Sequence, residues 1–118
     1  MEKILLIGAG GHASSCIDVI ESTNHFEIVG LVDKDDSLYD DKIGYPFLGT
    51  DNDLEFLSQH YSHALVTVGQ IKSPRVRIKL FKLLNELNFV LPVVVSSKAY
   101  VSENAKVGKG SIIMHGAI

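Results

Sequence analysis

The stretch Lys3-Ile4-Leu5-Leu6-Ile7-Gly8-Ala9-Gly10-Gly11-His12-Ala13 decides the fold. Ile4 to Ile7 is an unbroken apolar run with no polar alternation, the pattern of a strand covered on both faces in a parallel sheet. Gly8 stops that run. Beyond Gly8-Ala9-Gly10-Gly11 the spacing changes: Ala13, Cys16, Ile17 and Ile20 fall at i, i+3, i+4 and i+7, which predicts one apolar face of a helix ending near Ser22 to Asn24. Phe26-Glu27-Ile28-Val29-Gly30-Leu31-Val32 is β-rich again and ends on Asp33, so the opening reads as a strand-helix-strand crossover with parallel strands.

The pattern continues outward from this unit. Lys34 to Tyr45 is polar and rich in Asp, which predicts a surface loop leading to an extended piece at Phe47-Leu48. Thr50 or Asp51 is placed to cap a short helix carrying Leu54 and Leu57. His63 to Gly69 reads as the next strand. Ser73-Pro74 starts a second long helix, because proline's missing N–H costs nothing at the first helical position. Val76, Leu80, Leu83, Leu84 and Leu87 are its expected buried stripe, and Phe89 to Val95, interrupted by Pro92, is expected to form an edge strand.

From Val101 the period becomes six. Val101, Val107 and Ile113 open three hexads, and Ala105, Ser111 and Ala117 occupy their fifth positions. An aliphatic at each first position and a small residue at each fifth is what one triangular coil of a left-handed parallel β-helix requires. The competing reading is an irregular hairpin turning at Gly108 and Gly110. The expected class is therefore α/β: a Rossmann-like parallel sheet flanked by helices over residues 1–95, then the first coil of a left-handed β-helix over 96–118.

Composition narrows the functions. The 118 residues are 46% hydrophobic and 21% charged, the make-up of an ordinary globular domain. Eleven Lys and Arg against 14 Asp and Glu give a net charge of -3, so no overall positive field draws nucleic acid. No apolar run approaches the roughly 18 residues of a membrane span, and the single cysteine, Cys16, forms no disulfide within the chain. A cytoplasmic protein with no membrane partner is the expectation.

Chemistry concentrates at the glycines. Gly8, Gly10 and Gly11 lie between a strand and a helix start, where backbone N–H groups and the helix dipole converge and no Cβ keeps an anion away. The spacing fits G-x-G-x-x-A, and Asp33 stands at the end of the second strand, where a dinucleotide fold sets an acid against a ribose. An NAD(P)-binding or redox-sensing module is thus one reading; glycines serving only a tight turn are another. His12, at the helix start, is placed to exchange hydrogen bonds with a ligand or merely to cap and solvate the helix end. Cys16 sits on the apolar stripe and reads as core. Asp33, Asp35 and Asp36 lack the spacing of a calcium loop, and His60, His63 and His115 lack that of a zinc site, so no metal is expected. The basic residues Lys72, Arg75, Arg77, Lys79 and Lys82 read as a solvated helix face, with Arg75 near enough to the helix start to reach a phosphate.

Ile7-Gly8-Ala9-Gly10-Gly11-His12, Leu31-Val32-Asp33-Lys34, Val68-Gly69-Gln70 followed by Arg75, and the closing hexads together resemble the NeuD/PglD-like group of bacterial sugar acetyltransferases. The resemblance implies a first domain that holds a nucleotide-sugar or sialic-acid-like acceptor in place of NAD. It implies a following β-helix that forms a homotrimer and binds the donor substrate acetyl-CoA between subunits. Carried onto this chain, Gly8, Gly10, Gly11 and His12 line the phosphate and sugar side, Asp33 and Lys34 the base side, and Gly69 and Gln70 the loop after the next strand. The group's catalytic base is a histidine in a later coil, which His115 does not match. By this resemblance the chain is an amino-terminal part of such an enzyme, with the donor site incomplete and no catalysis on its own.

Overall fold

Four parallel strands in the order β3-β2-β1-β4 form the sheet on which the rest of the chain is built: β1 (Glu2–Ile7), β2 (Phe26–Asp33), β3 (Phe47–Thr50) and β4 (His63–Val66). The computed structural model describes residues 1–68, 75–95 and 112–113. The continuous apolar run of β1 is explained by its central place. Ile4 and Leu6 join one core cluster with Ala13, Ile17, Val19 and Ile20 of helix α1 (Gly11–Thr23), while Leu5 and Ile7 join the other, with Leu54 and Leu57 of α2 (Leu54–Ser58) and Leu80 and Leu84 of α3 (Arg75–Glu86). All four β1 side chains are fully buried. At about 1.5–3 kcal/mol for each such side chain, this strand is the main anchor of the domain.

Local chemistry sets the ends of the helices. α1 stops at Asn24, which adopts the left-handed conformation at φ 56°, and the hydroxyls of Ser22 and Thr23 donate to the carbonyls of Val19 and Ile20 in the last turn. Thr50 caps the short 3-10 turn Asp51–Asp53 that runs into α2, in a reciprocal arrangement with Asp53. The expected helix carrying Leu54 and Leu57 is thus present, with both leucines buried.

Two expectations are revised. Val76 is 55% exposed and does not belong to the stripe of α3, whose fully covered residues are Leu80 and Leu84 with Leu83, Leu87 and Phe81 partly covered. The helix rests on the sheet through a narrower face than the sequence pattern predicts. Phe89 to Val95 is also not one strand. Val90 makes an isolated parallel bridge to His63 at the sheet edge, and β5 (Val94–Val95) leaves the sheet to pair in parallel with β6 (Ile112–Ile113). Pro92, which has no N–H to give to a ladder, stands between the two pairings. Val94 itself packs in the α1-side core.

In that pairing Val95 meets Ile113, eighteen residues on, which is three hexads. Apart from Ile112 and Ile113, the hexads of 101–118 lie outside the described residues, as does the Ser73-Pro74 helix start. Among the described residues no helix is long and apolar enough to cross a membrane.

Candidate functional site

The strand order reverses direction about β1: the chain winds outward through β2 and β3 on one side and resumes with β4 on the other. In open parallel sheets ligands bind outside the carboxyl ends of the strands at such a switch point. Here that edge carries the glycine turn after β1, Asp33 at the end of β2, and Thr67-Val68 after β4.

The glycines divide into two kinds. Gly8 is buried, has φ +133°, and donates its N–H to the Val32 carbonyl at 2.7 Å. A Cβ on it would lie 2.7 Å from the Val68 nitrogen and 2.8 Å from the Thr67 carbonyl carbon, so glycine is required there by the fold itself. Gly10 is the N-cap of α1 and Gly11 its first residue. A Cβ on Gly10 would make only ordinary contact with Leu38, at 3.6 and 4.0 Å, and one on Gly11 would meet nothing within 4 Å. Folding does not demand glycine at these two positions. Gly10 offers no side-chain cap and the first turn has no acidic residue, so the N–H groups opening α1 face outward with the positive end of the helix dipole behind them.

Beside this turn lies a cleft of about 330 Å³ lined by Ala9, Gly10, Gly11, Ser14, Leu38, Asp40, Lys42 and Ile43. Its far wall is the polar loop after β2. Asp40 accepts from the Lys42 N–H and caps the 3-10 turn Asp41–Ile43. The Tyr39 hydroxyl closes the loop on the Tyr45 carbonyl at 2.7 Å. The Tyr45 hydroxyl docks it on α1 by donating to Glu21 Oε2 at 2.6 Å. That bond to a carboxylate, with partial burial, pushes the Tyr45 phenol up to about 12. Leu38 stands 59% exposed at the rim, an apolar side chain beside the polar residues of the cleft.

Of the expected site residues, Gly10 and Gly11 line the cleft and Gly8 shapes the turn from beneath. His12 is exposed on the first turn of α1, outside the cleft lining. Asp33 reaches the turn by accepting the Ala9 N–H on Oδ2 at 2.9 Å, and its Oδ1 accepts the Lys34 N–H at 2.7 Å. Lys34 is exposed immediately after β2. Gly69 and Gln70 lie outside the described residues. The sequence reading overlooked Lys42, Ser14 and Leu38. Ser14 lies in α1 just beyond the glycines, whereas Lys42 and Leu38 had no sequence signal beyond a lysine and a leucine in an Asp-rich loop, which is held over the turn by the Tyr45–Glu21 bond and by the packing of Tyr39, Ile43 and Tyr45 on the core.

The charges are unevenly placed. Asp51, at the end of β3, is held above the usual carboxylate range by burial and by the neighbouring Asp33, with Lys79 pulling the other way. The Asp33–Asp51 side of the edge is thus unfavourable to an anion, while the cleft sets the start of α1 and Lys42 beside one carboxylate, Asp40. Cys16 lies on the buried face of α1, its thiol pushed up to about 11 by that burial.

Comparison with known proteins identifies the family and the fold. The family model of the PglD N-terminal domain matches residues 3–84. PerB from Caulobacter crescentus, solved in complex with CoA and GDP-perosamine, superposes with a TM-score of 0.83 at 28% identity, over 98% of this chain and 53% of that one. A perosamine N-acetyltransferase from Caulobacter crescentus, with the same two ligands, gives the same values. The acetyltransferase domain of PglB from Neisseria gonorrhoeae, in complex with acetyl coenzyme A, has a TM-score of 0.79 at 31% identity, over 97% of this chain and 53% of that one. The chain thus spans about half the length of these proteins. Among curated protein sequences none matches it.

Proposed function

Since the chain belongs to the PglD N-terminal domain family, we propose that it is the acceptor-binding part of an acetyl-CoA-dependent acetyltransferase, acting on an amino or hydroxyl group of a nucleotide-activated or sialic-acid-like sugar. The observation that carries this reading is the pair Gly10 and Gly11. They are glycines that folding does not require, at an uncapped helix start that opens on a cleft with a lysine across it. Missing Cβ atoms at such a place leave room for a diphosphate to reach the backbone N–H groups, with Lys42 as the opposing cation. Leu38 supplies an apolar rim for the base or sugar ring. Asp33 and Lys34 bound the ribose and base side, each Asp33 oxygen keeping a lone pair beyond the backbone bond it accepts. His12 flanks the phosphate side, and Gly69 and Gln70 complete the site from the loop after β4.

In the reaction the acceptor nitrogen or oxygen attacks the thioester carbonyl of acetyl-CoA. The new bond to the acetyl carbon forms, the carbon–sulfur bond breaks and CoA departs as the thiolate, while the proton lost by the nucleophile passes to a general base and from it to the thiolate, giving the thiol. The task of this chain is to hold the nucleotide sugar so that its nucleophile faces the donor. The eighteen-residue offset between Val95 and Ile113 supports a left-handed β-helix starting at the hexads, because three hexads make one triangular coil and successive coils pair in parallel. On such a coil a homotrimer would bind acetyl-CoA between subunits, in the cytoplasm where activated sugars are made. A dinucleotide-binding module is less well supported: it accounts for the glycine turn and Asp33 equally well but not for the closing hexads.

Calorimetric titration with UDP, GDP, GDP-perosamine and CMP-sialic acid, with NADH as the control, tests the proposal. Saturable heat from at least one nucleotide or nucleotide sugar and none from NADH is expected. No binding by any of them to a folded chain refutes acceptor binding, and tight NADH binding transfers the site to the dinucleotide reading.

A further inference from the structure

Thr67 is the buried polar residue among those described, at 1% exposure, and its hydroxyl donates to the Gly8 carbonyl at 2.7 Å. The carbonyl of Gly8 and the N–H of Ala9 are the two ends of one planar peptide group and point in opposite directions. The second end is held as well, by Asp33 Oδ2 at 2.9 Å. This single peptide plane is therefore gripped from both sides, by a residue after β4 and by the last residue of β2. The Thr67 N–H also donates to the Ile7 carbonyl at 2.9 Å, so the same residue secures the last peptide of β1 and the first of the turn.

We infer that Thr67 is a positioning residue for the acceptor site: with Asp33 it fixes the orientation of the Gly8–Ala9 peptide and so aims the N–H groups that open α1. Gly8 at φ +133° is the swivel at which this peptide would otherwise rotate, because glycine has no side chain to restrict it. Rotation there redirects every backbone group up to the first helical turn. The two hydrogen bonds prevent this without placing either side chain in the cleft. A consequence is that Asp33 acts on an anion mainly through the turn, since its own negative charge opposes the ligand that its geometry helps to bind. The inference rests on the acceptor-binding reading for its functional consequence, while the peptide grip itself is measurable without any ligand.

The test compares Thr67→Val, which keeps the shape and removes the hydroxyl, with Thr67→Ser, which restores it. Backbone amide exchange is read by NMR at Ala9, Gly10, Gly11 and His12, and affinity is read with UDP and GDP. In Thr67→Val the Ala9 amide is expected to exchange about tenfold faster and the nucleotide to bind about tenfold more weakly, the worth of one net hydrogen bond. Thr67→Ser is expected to recover both. Should Thr67→Val fail to fold, Thr67→Ala, which removes the same hydroxyl with less bulk, is read in its place and must give the same exchange signature. Unchanged Ala9 exchange in the folded Thr67→Val protein overturns the inference, as does weaker nucleotide binding that Thr67→Ser does not restore. Faster exchange with no nucleotide bound by any form, wild type included, upholds the grip and removes the acceptor-binding reading instead.

Discussion

Replacing Gly8 and Gly11 separately by alanine gives opposite outcomes from what looks like one glycine-rich motif. At Gly8 the new Cβ would lie 2.7 Å from the Val68 nitrogen and 2.8 Å from both the Thr67 carbonyl carbon and Val68 Cγ2. Two of these neighbours are backbone atoms beside a strand and cannot swing aside. Holding a non-glycine residue in a sparsely populated region costs about 1–3 kcal/mol, and overpacking adds about 1–3 kcal/mol. Gly8→Ala is therefore expected to lose about 3–5 kcal/mol, a large share of the roughly 5–15 kcal/mol that holds a domain together. At Gly11 the Cβ enters open space on a helical residue, so Gly11→Ala is expected to gain a few tenths to about 1 kcal/mol. Urea unfolding followed by circular dichroism reads both, and thermal melting gives a second measure at about 4 °C per kcal/mol. The same Gly11→Ala protein is expected to bind UDP or GDP at least tenfold more weakly, because its methyl group projects where the anion approaches. A Gly8→Ala variant within about 1 kcal/mol of the wild type would refute the steric reasoning. A destabilised Gly11→Ala variant would make that glycine architectural too.

Lys42→Gln is expected to weaken UDP binding about tenfold with unchanged stability, since the exposed side chain lines the cleft and supports nothing beneath it; equal affinity by calorimetry removes Lys42 from the site. Tyr45→Phe deletes the bond that docks the loop on α1 and is expected to cost up to about 1 kcal/mol by urea unfolding and to loosen the cleft wall. The Tyr45 contribution is present below pH 10 and fades as the pH rises toward 12, because the folded phenol titrates near 12 against an ordinary value of 10; wild type and Tyr45→Phe should converge in stability across that interval. Cys16, pushed from 9.0 to about 11 by burial, is expected to resist a disulfide reagent at pH 8 in the folded protein and to react at once in urea. Its linkage has the same sign, with stability declining as pH rises from 9 to 11, and rapid labelling of the native chain would contradict its place in the core.

The sequence by itself determined the elements whose causes are local. Four apolar residues in a row made β1, the spacing of Ala13, Cys16, Ile17 and Ile20 made the buried face of α1, and Thr50 or Asp51 marked the start of the segment leading into α2. Periodicity and capping act over a few residues, so they are readable without knowing what lies opposite. The tight strand-to-helix turn at Gly8 was legible for the same reason. What the tertiary structure decided is everything that depends on distant partners. The order β3-β2-β1-β4 placed the turn at the switch point. The steric contacts around each Cβ separated Gly8, which the fold needs, from Gly10 and Gly11, which it does not. The run Phe89 to Val95 carried one β-rich signal, yet the competing partners His63 and Ile112 divided it about Pro92. Lys42 reached the cleft because its loop packs on the core and Tyr45 found Glu21, twenty-four residues back. Asp33 and Thr67 lie thirty-four residues apart in the chain, and only the folding of β2 and β4 to either side of β1 sets them on the two ends of one peptide. A hydrogen bond between groups so distant leaves no periodic trace in a sequence, because its partners are chosen by the topology of the sheet.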